Sequence, residues 1–116
     1  MTDRELLELA AKAAGIEGVY KEMRLVHGDV SGISAPTHSL WNPLTDDGDA
    51  LRLAVKLEID IALREKLTLA SYRTNSSEWV SFVEDHVEDV FARKCPYAAT
   101  RRAIVRAAAE IGKGMK

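Results

Sequence analysis

The spacing of apolar residues changes along this chain, and this change restricts its fold more than any other feature. Residues 2–14 and 51–58 carry apolar side chains at helical intervals, whereas apolar and polar residues alternate from Ile59 onward. Helical intervals return after Pro96. Intervals of three and four residues are typical of amphipathic helices, and alternation is typical of strands. The sequence therefore predicts a mixed chain in which wide apolar helix faces lie on a sheet.

Capping signals set the ends of the predicted helices. Thr2 and Glu5 form a capping box at the start of the first helix, and Gly15 can end it in the left-handed conformation. The second helix is expected to begin at an N-cap formed by one of the residues 45, 46 or 47. Its helical spacing is given by Leu51, Ala54, Val55 and Glu58, widened by Leu53 and Leu57. The last helix begins near Pro96, and its predicted inward residues are Tyr97, Ile104, Ala108 and Ile111.

Strands are predicted on either side of the second helix. Residues 19–26 favour a strand, whereas residues 27–49 are rich in turn-forming types and predict an ordered loop or a short edge strand. A further strand begins at Ile59, bends near Glu65 and continues on the same face through Leu67 and Leu69. Residues 78–91 fit both a strand and a helix. We favour a strand from about residue 78 that pairs as a hairpin with the preceding strand.

Length and charge restrict the class of protein. The 116 residues fit a single domain spanning residues 1–116, and the net charge of −2 rules out a uniformly basic nucleic-acid coat. The single cysteine, the charged N-terminal segment and the lack of a long apolar run predict a cytoplasmic protein without a membrane partner. Residues 44–91 hold eleven acids and five bases, and residues 92–116 hold seven bases and one acid. This asymmetry suits two parts of one fold, a homo-oligomer, an anionic ligand, or merely a solvated surface.

The sequence contains no recognised catalytic or metal-binding pattern. Its soft ligands lack the close pairs that zinc sites use; they are His27, His38, His86 and Cys95. The acids at positions 46, 47 and 49 lack the glutamate that completes a calcium loop. The glycines form no phosphate-binding motif. We therefore predict no cofactor, no bound metal and no enzymatic activity.

Two segments resemble a known family. The first, at residues 41–54, reads WNPLTDDGDALRLA, and the second, at residues 96–108, reads PYAATRRAIVRAA. Together and in this order they resemble the phage ABA sandwich domain family of small phage and prophage proteins, and they look similar to the related NinX-like proteins. The resemblance implies an α+β fold, a three-layer α/β/α sandwich in which helices cover a small, mostly antiparallel sheet. It also implies an accessory protein encoded by a phage or prophage, and it implies no established activity.

The same two segments hold the candidate ligand-binding residues. A helix start and arginine side chains can bind phosphate oxygens, and aromatic rings can stack on bases. If the Trp-Asn-Pro segment folds over the start of the last helix, one pocket would contain Trp41, Asn42, Asp46, Asp49, Arg52, Tyr97, Arg101 and Arg102. In the alternative, both aromatic residues belong to the core. The arginines then pair with the acids at positions 46, 49 or 110.

Two functions follow from these patterns. The leading hypothesis is that the protein binds an anionic small molecule, such as a nucleotide, without turning it over, and so could sequester a host defence signal. The alternative is a protein–protein interaction module that acts on a host or phage protein. Under both hypotheses we expect Trp41 and Leu44 to anchor the long connection onto the start of the second helix.

Overall fold

The fold is a mixture of helices and antiparallel strands, as predicted. The computed structural model describes residues 1–36, 38–86 and 95–115. Within them the elements are, in chain order, α1 (Asp3–Ala14), β1 (Val19–Leu25), β2 (Gly28–Ala35), β3 (His38–Trp41), α2 (Asp47–Leu57), β4 (Asp60–Leu63), β5 (Leu67–Arg73), β6 (Trp79–Asp85) and α3 (Pro96–Lys113). The α+β class is therefore confirmed.

The strands form two sheets of three strands each, where the sequence had suggested a single sheet. The first has the order β1-β2-β3 and the second the order β4-β5-β6. Each sheet is an antiparallel meander of consecutive strands. Helix α2 separates the two meanders along the chain. Each sheet therefore has one central strand, β2 in the first sheet and β5 in the second.

The helices connect the two sheets. Helix α1 packs against α3 and against the first sheet, while α3 also packs against α2 and the second sheet. A Cβ atom at Gly112 would collide with the carbonyl oxygen of Leu9, so a glycine is required where α3 crosses α1. The core lies between these elements, and its largest buried apolar residues are Leu6, Leu7, Ile33, Trp41, Leu53, Ile59, Ile104 and Val105.

The predicted helix ends are confirmed. The hydroxyl oxygen of Thr2 accepts a hydrogen bond from the backbone N–H of Glu5, and Gly15 ends α1 with a φ of 74°. Of the three candidate caps of α2, the structure uses Asp46, whose side chain accepts from the backbone N–H of Asp49. These local contacts satisfy N–H groups that have no partner within the helix.

The prediction for residues 27–49 was right for β3, which is a short edge strand, and wrong for β2, which was not predicted. Strand β2 pairs with β1 along its whole length, from Val19 opposite Ser34 to Leu25 opposite Gly28. Strand β2 is hard to predict from the sequence because it contains small and turn-forming residues. The structure explains why one of them, Gly32, is a glycine: a Cβ atom there would lie 2.6 Å from a backbone oxygen of β3, so glycine allows the two strands to meet.

The second sheet follows the predicted order, but the inward face of β5 was predicted wrongly. The chain bends between β4 and β5 near Glu65, and β6 extends the hairpin from Trp79, as expected. Leu63 pairs with Thr68, so odd residues of β4 share a face with even residues of β5. Thr68 and Ala70 are therefore fully buried, whereas Leu67 and Leu69 are half-buried. The part of the 78–91 prediction that falls on residues 87–91 lies outside the described residues.

Candidate ligand-binding groove

The Trp-Asn-Pro segment is a structural anchor. The side chain of Trp41 is only 4% exposed and belongs to the core, and Leu44 packs against that core, which confirms the expected anchoring. The side chain of Asn42 donates to the carbonyl oxygen of Ser31 at 2.8 Å and accepts from the N–H of Leu44 at 2.9 Å. Because its ring is buried, Trp41 does not offer a stacking surface to a base.

The acids beside this segment hold the start of α2. Asp49 accepts from the backbone N–H of Asn42 at 3.0 Å through one oxygen and from Arg52 at 2.9 Å through the other. Asp46 caps the helix and lies 3.8 Å from the guanidinium of Arg52. We had expected these residues to hydrogen-bond a ligand. Their geometry shows that they organise the turn between β3 and α2.

The arginines of α3 pair with acids, but these are Asp3, Asp47 and Glu84, which differ from the acids that the sequence suggested. Arg101 donates to the carbonyl oxygen of Leu44 at 2.8 Å and to Asp47 at 2.6 Å. These two bonds join the first turns of α3 to the residues that directly follow the Trp-Asn-Pro segment, which was the condition for a shared pocket.

Arg102 lies elsewhere, in a cleft of about 390 Å³ between α1, β6 and α3. It contacts Asp3 at 3.0 Å and Glu84 at 3.5 Å, and Arg106 contacts the same glutamate at 2.7 Å. The charges of this cleft thus neutralise one another, which leaves little for an anionic ligand to bind.

A larger groove opens between α2, β4 and the first half of α3. Its volume is about 590 Å³, which falls within the range of about 300–1,000 Å³ that is typical of small-molecule sites. Of the eight predicted site residues, Tyr97 and Arg101 border it. Its remaining lining residues are Asp47, Ala50, Leu51, Ile61, Leu63, Arg64, Glu65, His86, Pro96, Thr100 and Ile104.

The walls of the groove are apolar because one face of α2 is turned away from the core. Helix α2 buries Ala50, Leu53 and Ala54, whereas Leu51 is exposed, so the prediction that Leu51 faces inward was wrong. Tyr97 was also expected inward, yet it is 68% exposed at the groove mouth. Exposed apolar residues that gather around a concave surface are typical of binding sites.

The polar part of the groove is a short chain of hydrogen bonds. His86 is 5% exposed, and its Nε2 lies 2.7 Å from the hydroxyl oxygen of Thr68. That hydroxyl lies 3.0 Å from the hydroxyl of Thr100. His86 and Thr100 both line the groove. This chain gives an otherwise apolar site hydrogen-bonding groups with fixed positions.

Charged side chains lie around the groove, and one of its cations forms no ion pair with the residues that the structure describes. Arg101 is tied to Asp47. The guanidinium of Arg64 donates only to its neighbouring carbonyl oxygen at residue 63, and it makes no ion pair within the part of the chain that the structure describes. Glu65 also lines the groove. Among the described residues, the charged groups that line the groove therefore balance, and Arg64 is available to an anion.

Sequence reasoning missed most of the groove. Its lining residues come from four separated stretches of the chain, and only two of these stretches lie in the segments that the sequence singled out. The available signal was the width of the apolar stripe on α2, which is broader than one buried face requires. Only the packing of α2 shows which half of that stripe remains exposed.

The structure also bears on metals and membranes. Within residues 1–36, 38–86 and 95–115, no three or more His, Cys, Asp or Glu side chains are grouped so that they could hold a metal ion. Among the helices described, none combines the length and the apolar character needed to cross a bilayer.

Comparisons with known proteins found no relative. No family model, no curated protein and no solved structure matches this chain. The resemblance to the phage family therefore stays a prediction.

Proposed function

We propose that this protein binds a small molecule that has an apolar body and a single anionic group, and that the groove between α2 and α3 is the binding site. The observation that carries this proposal is the combination of apolar walls with a fixed polar chain in one concave site. Ligand sites of proteins typically join these two features, since burial supplies affinity and a few polar groups fix orientation. Binding without catalysis, by a phage-encoded accessory protein, is part of the same proposal.

Two features support an anionic group on the ligand. Arg64 borders the groove, and no carboxylate of the described residues is bonded to it. Pro96 and Tyr97, in the first turn of α3, also line the groove, and this turn contains no acidic residue. The N–H groups of a helix start therefore add positive potential at the same opening.

The charge balance restricts the ligand to one anionic group. Asp47 and Glu65 lie among the lining residues and oppose the charges of Arg64 and Arg101. A chain of phosphates would be repelled by these carboxylates, whereas one phosphate, carboxylate or sulfonate can reach Arg64. A nucleoside monophosphate fits this description, with its base against Leu51 and Tyr97.

Thermal unfolding in the presence of single compounds tests the proposal. The compounds are nucleoside monophosphates, aromatic carboxylates and, as a charge control, inorganic phosphate. A ligand at 100 times its Kd should stabilise the protein by about 2.7 kcal/mol. L51E should abolish the stabilisation, because it places a carboxylate in the apolar wall, and R64A should weaken it at least tenfold in Kd.

K66A is the matched control for R64A. Lys66 is exposed in the same turn but does not line the groove, so its removal changes the net charge equally and should leave binding intact. If R64A and K66A weaken ligand binding equally, net charge and not a site at Arg64 determines the affinity. No stabilisation by any compound would refute the small-ligand proposal.

A second candidate function, a protein–protein interaction module, is favoured by one observation. Val55 is exposed one turn beyond Leu51 on α2 but does not line the groove. The apolar surface is thus larger than the groove. V55E separates the two functions: it should leave small-ligand binding unchanged and should disrupt a protein partner that covers the whole α2 face.

A further inference from the structure

Strand β1 has an open side. The order of the first sheet places β1 at its edge, with β2 as its neighbour along all seven residues. Among the described residues, no main-chain group from outside the sheet bonds to β1. Alternate N–H and C=O groups of an edge strand point away from the sheet and can pair with another strand.

The outer half of the β1–β2 hairpin lacks support. Strand β3 pairs with β2 only around Ile33 and Ala35, so the hairpin beyond that point has two strands. Met23 and Leu25 are exposed there, and Val26 in the turn is 97% exposed. A two-stranded ribbon is marginally stable alone in water. Exposed apolar residues on such a ribbon are typical of a surface that is covered in an assembly.

The hydrogen-bond pattern limits how β1 could pair with a second copy of itself. Opposite residues of an antiparallel pair are either both hydrogen-bonded or both not, and the two kinds alternate along a strand. Two residues of β1 are of the same kind only if their numbers differ by an even number. Residues that face each other across a two-fold axis must therefore differ by an even number of positions. It follows that the axis passes through a residue and not between two residues.

Charge excludes three of these registers and favours the one whose axis lies at Met23. An axis at Lys21, Glu22 or Arg24 would place a charged residue directly opposite its own copy, which is destabilising. An axis at Met23 places two apolar side chains together. It also places Glu22 opposite Arg24 of the second copy, twice by symmetry. Residues 21–25 of the two strands then face each other, and Val26, which lies opposite Tyr20, belongs to the turn after β1. The strand is therefore complementary to itself in this register.

We propose that two copies of this chain associate through β1, with the two-fold axis at Met23. The two first sheets then join into one continuous antiparallel sheet, and the interface uses the same surface of both copies. The unsupported half of each hairpin gains a neighbour, and the open edge of each sheet is paired. This proposal is independent of the groove, which lies on other elements.

A charge exchange tests the register. Sedimentation equilibrium should show dimers of the unmodified protein. E22R and R24E each place like charges opposite each other and should raise the dimer Kd roughly tenfold or more. The double variant E22R/R24E restores opposite charges and should restore the dimer. K66E, a charge reversal at an exposed residue outside β1, should leave the dimer unchanged. A monomeric unmodified protein, or a double variant as weak as the single ones, would overturn the proposal.

A cysteine cross-link tests the axis without relying on charge. In a C95S background, M23C places two thiols across the axis, where opposite residues are close enough for a disulfide. L25C is the control, because two copies of residue 25 would lie about 14 Å apart in this register. Mild oxidation of the folded protein should cross-link M23C and not L25C. Equal cross-linking of both, or cross-linking of L25C alone, would contradict the Met23 axis.

Discussion

The backbone N–H of Asn42 donates to a carboxylate oxygen of Asp49 at 3.0 Å, and both residues are buried. Asn42 directly follows β3, and Asp49 lies in the first turn of α2. One hydrogen bond therefore joins the first sheet to the helix that forms a wall of the groove. The position of Leu51 and Ala50 at the groove depends on this turn.

Removal of the Asp49 carboxylate should destabilise the protein. D49A leaves the buried N–H of Asn42 without an acceptor, and an unsatisfied buried donor costs about 1–3 kcal/mol. Urea unfolding should show this loss in the free energy of unfolding. D49N keeps an acceptor oxygen and should lose less. A D49A protein as stable as the unmodified one would show that the bond does not hold the turn.

Trp41 should be essential for stability and shielded from solvent. W41A should lower the free energy of unfolding by about 3–5 kcal/mol, the usual cost of replacing a large buried aromatic residue with alanine. In W79F, where Trp41 is the remaining tryptophan, its fluorescence should resist quenching by acrylamide. Efficient quenching in W79F would contradict the burial of Trp41, because the exposed Trp79 would no longer contribute.

The arginines of α3 should contribute to stability unequally. R101A loses a bond to a backbone oxygen and an ion pair, and we expect a loss of about 1 kcal/mol in the free energy of unfolding. R102A should lose less, because the Arg102 side chain is 39% exposed, against 17% for Arg101, and its contacts to Asp3 and Glu84 are ion pairs. Exposed ion pairs contribute about 0–1 kcal/mol. If both variants unfold like the unmodified protein, the pairing of these arginines is irrelevant to the fold.

Stability should fall at alkaline pH. Burial raises the pKa of Tyr72 above 10.0, and the nearby carboxylate of Glu110 raises it further. Since the unfolded tyrosine loses its proton first, the stabilisation is complete below about pH 10 and is lost as pH rises through the folded pKa. Unfolding curves from pH 9 to 11 should show a smaller decline for Y72F. An identical decline in both proteins would exclude Tyr72 as a cause.

Local signals in the sequence were sufficient for the helices and for the second sheet. The Thr2 cap, the Gly15 end and the first-turn Pro96 each depend on a few neighbouring residues, so their chemistry is visible without the fold. Strand β2 was missed because glycine, serine and alanine occupy five of its eight positions, so its few apolar residues show no clear alternation. The face of β5 was missed because pairing register, which is a long-range property, sets it.

The candidate site was predictable only in part. The sequence suggested that acids of the chain could pair with Arg101 and Arg102, and the structure shows such pairs. It could not indicate which acids these are, or that Leu51 turns outward. The partners depend on how α1, α2 and β6 pack against α3.

The most direct test of the groove is a map of backbone amide chemical shifts during titration with anilinonaphthalene sulfonate, which has an apolar body and one anionic group. The account predicts a saturable response with one site per chain, in which the amides of Leu51, Arg64 and Thr100 shift together and L51E abolishes the response. Shifts confined to another surface, or an unchanged response in L51E, would contradict the proposed binding site.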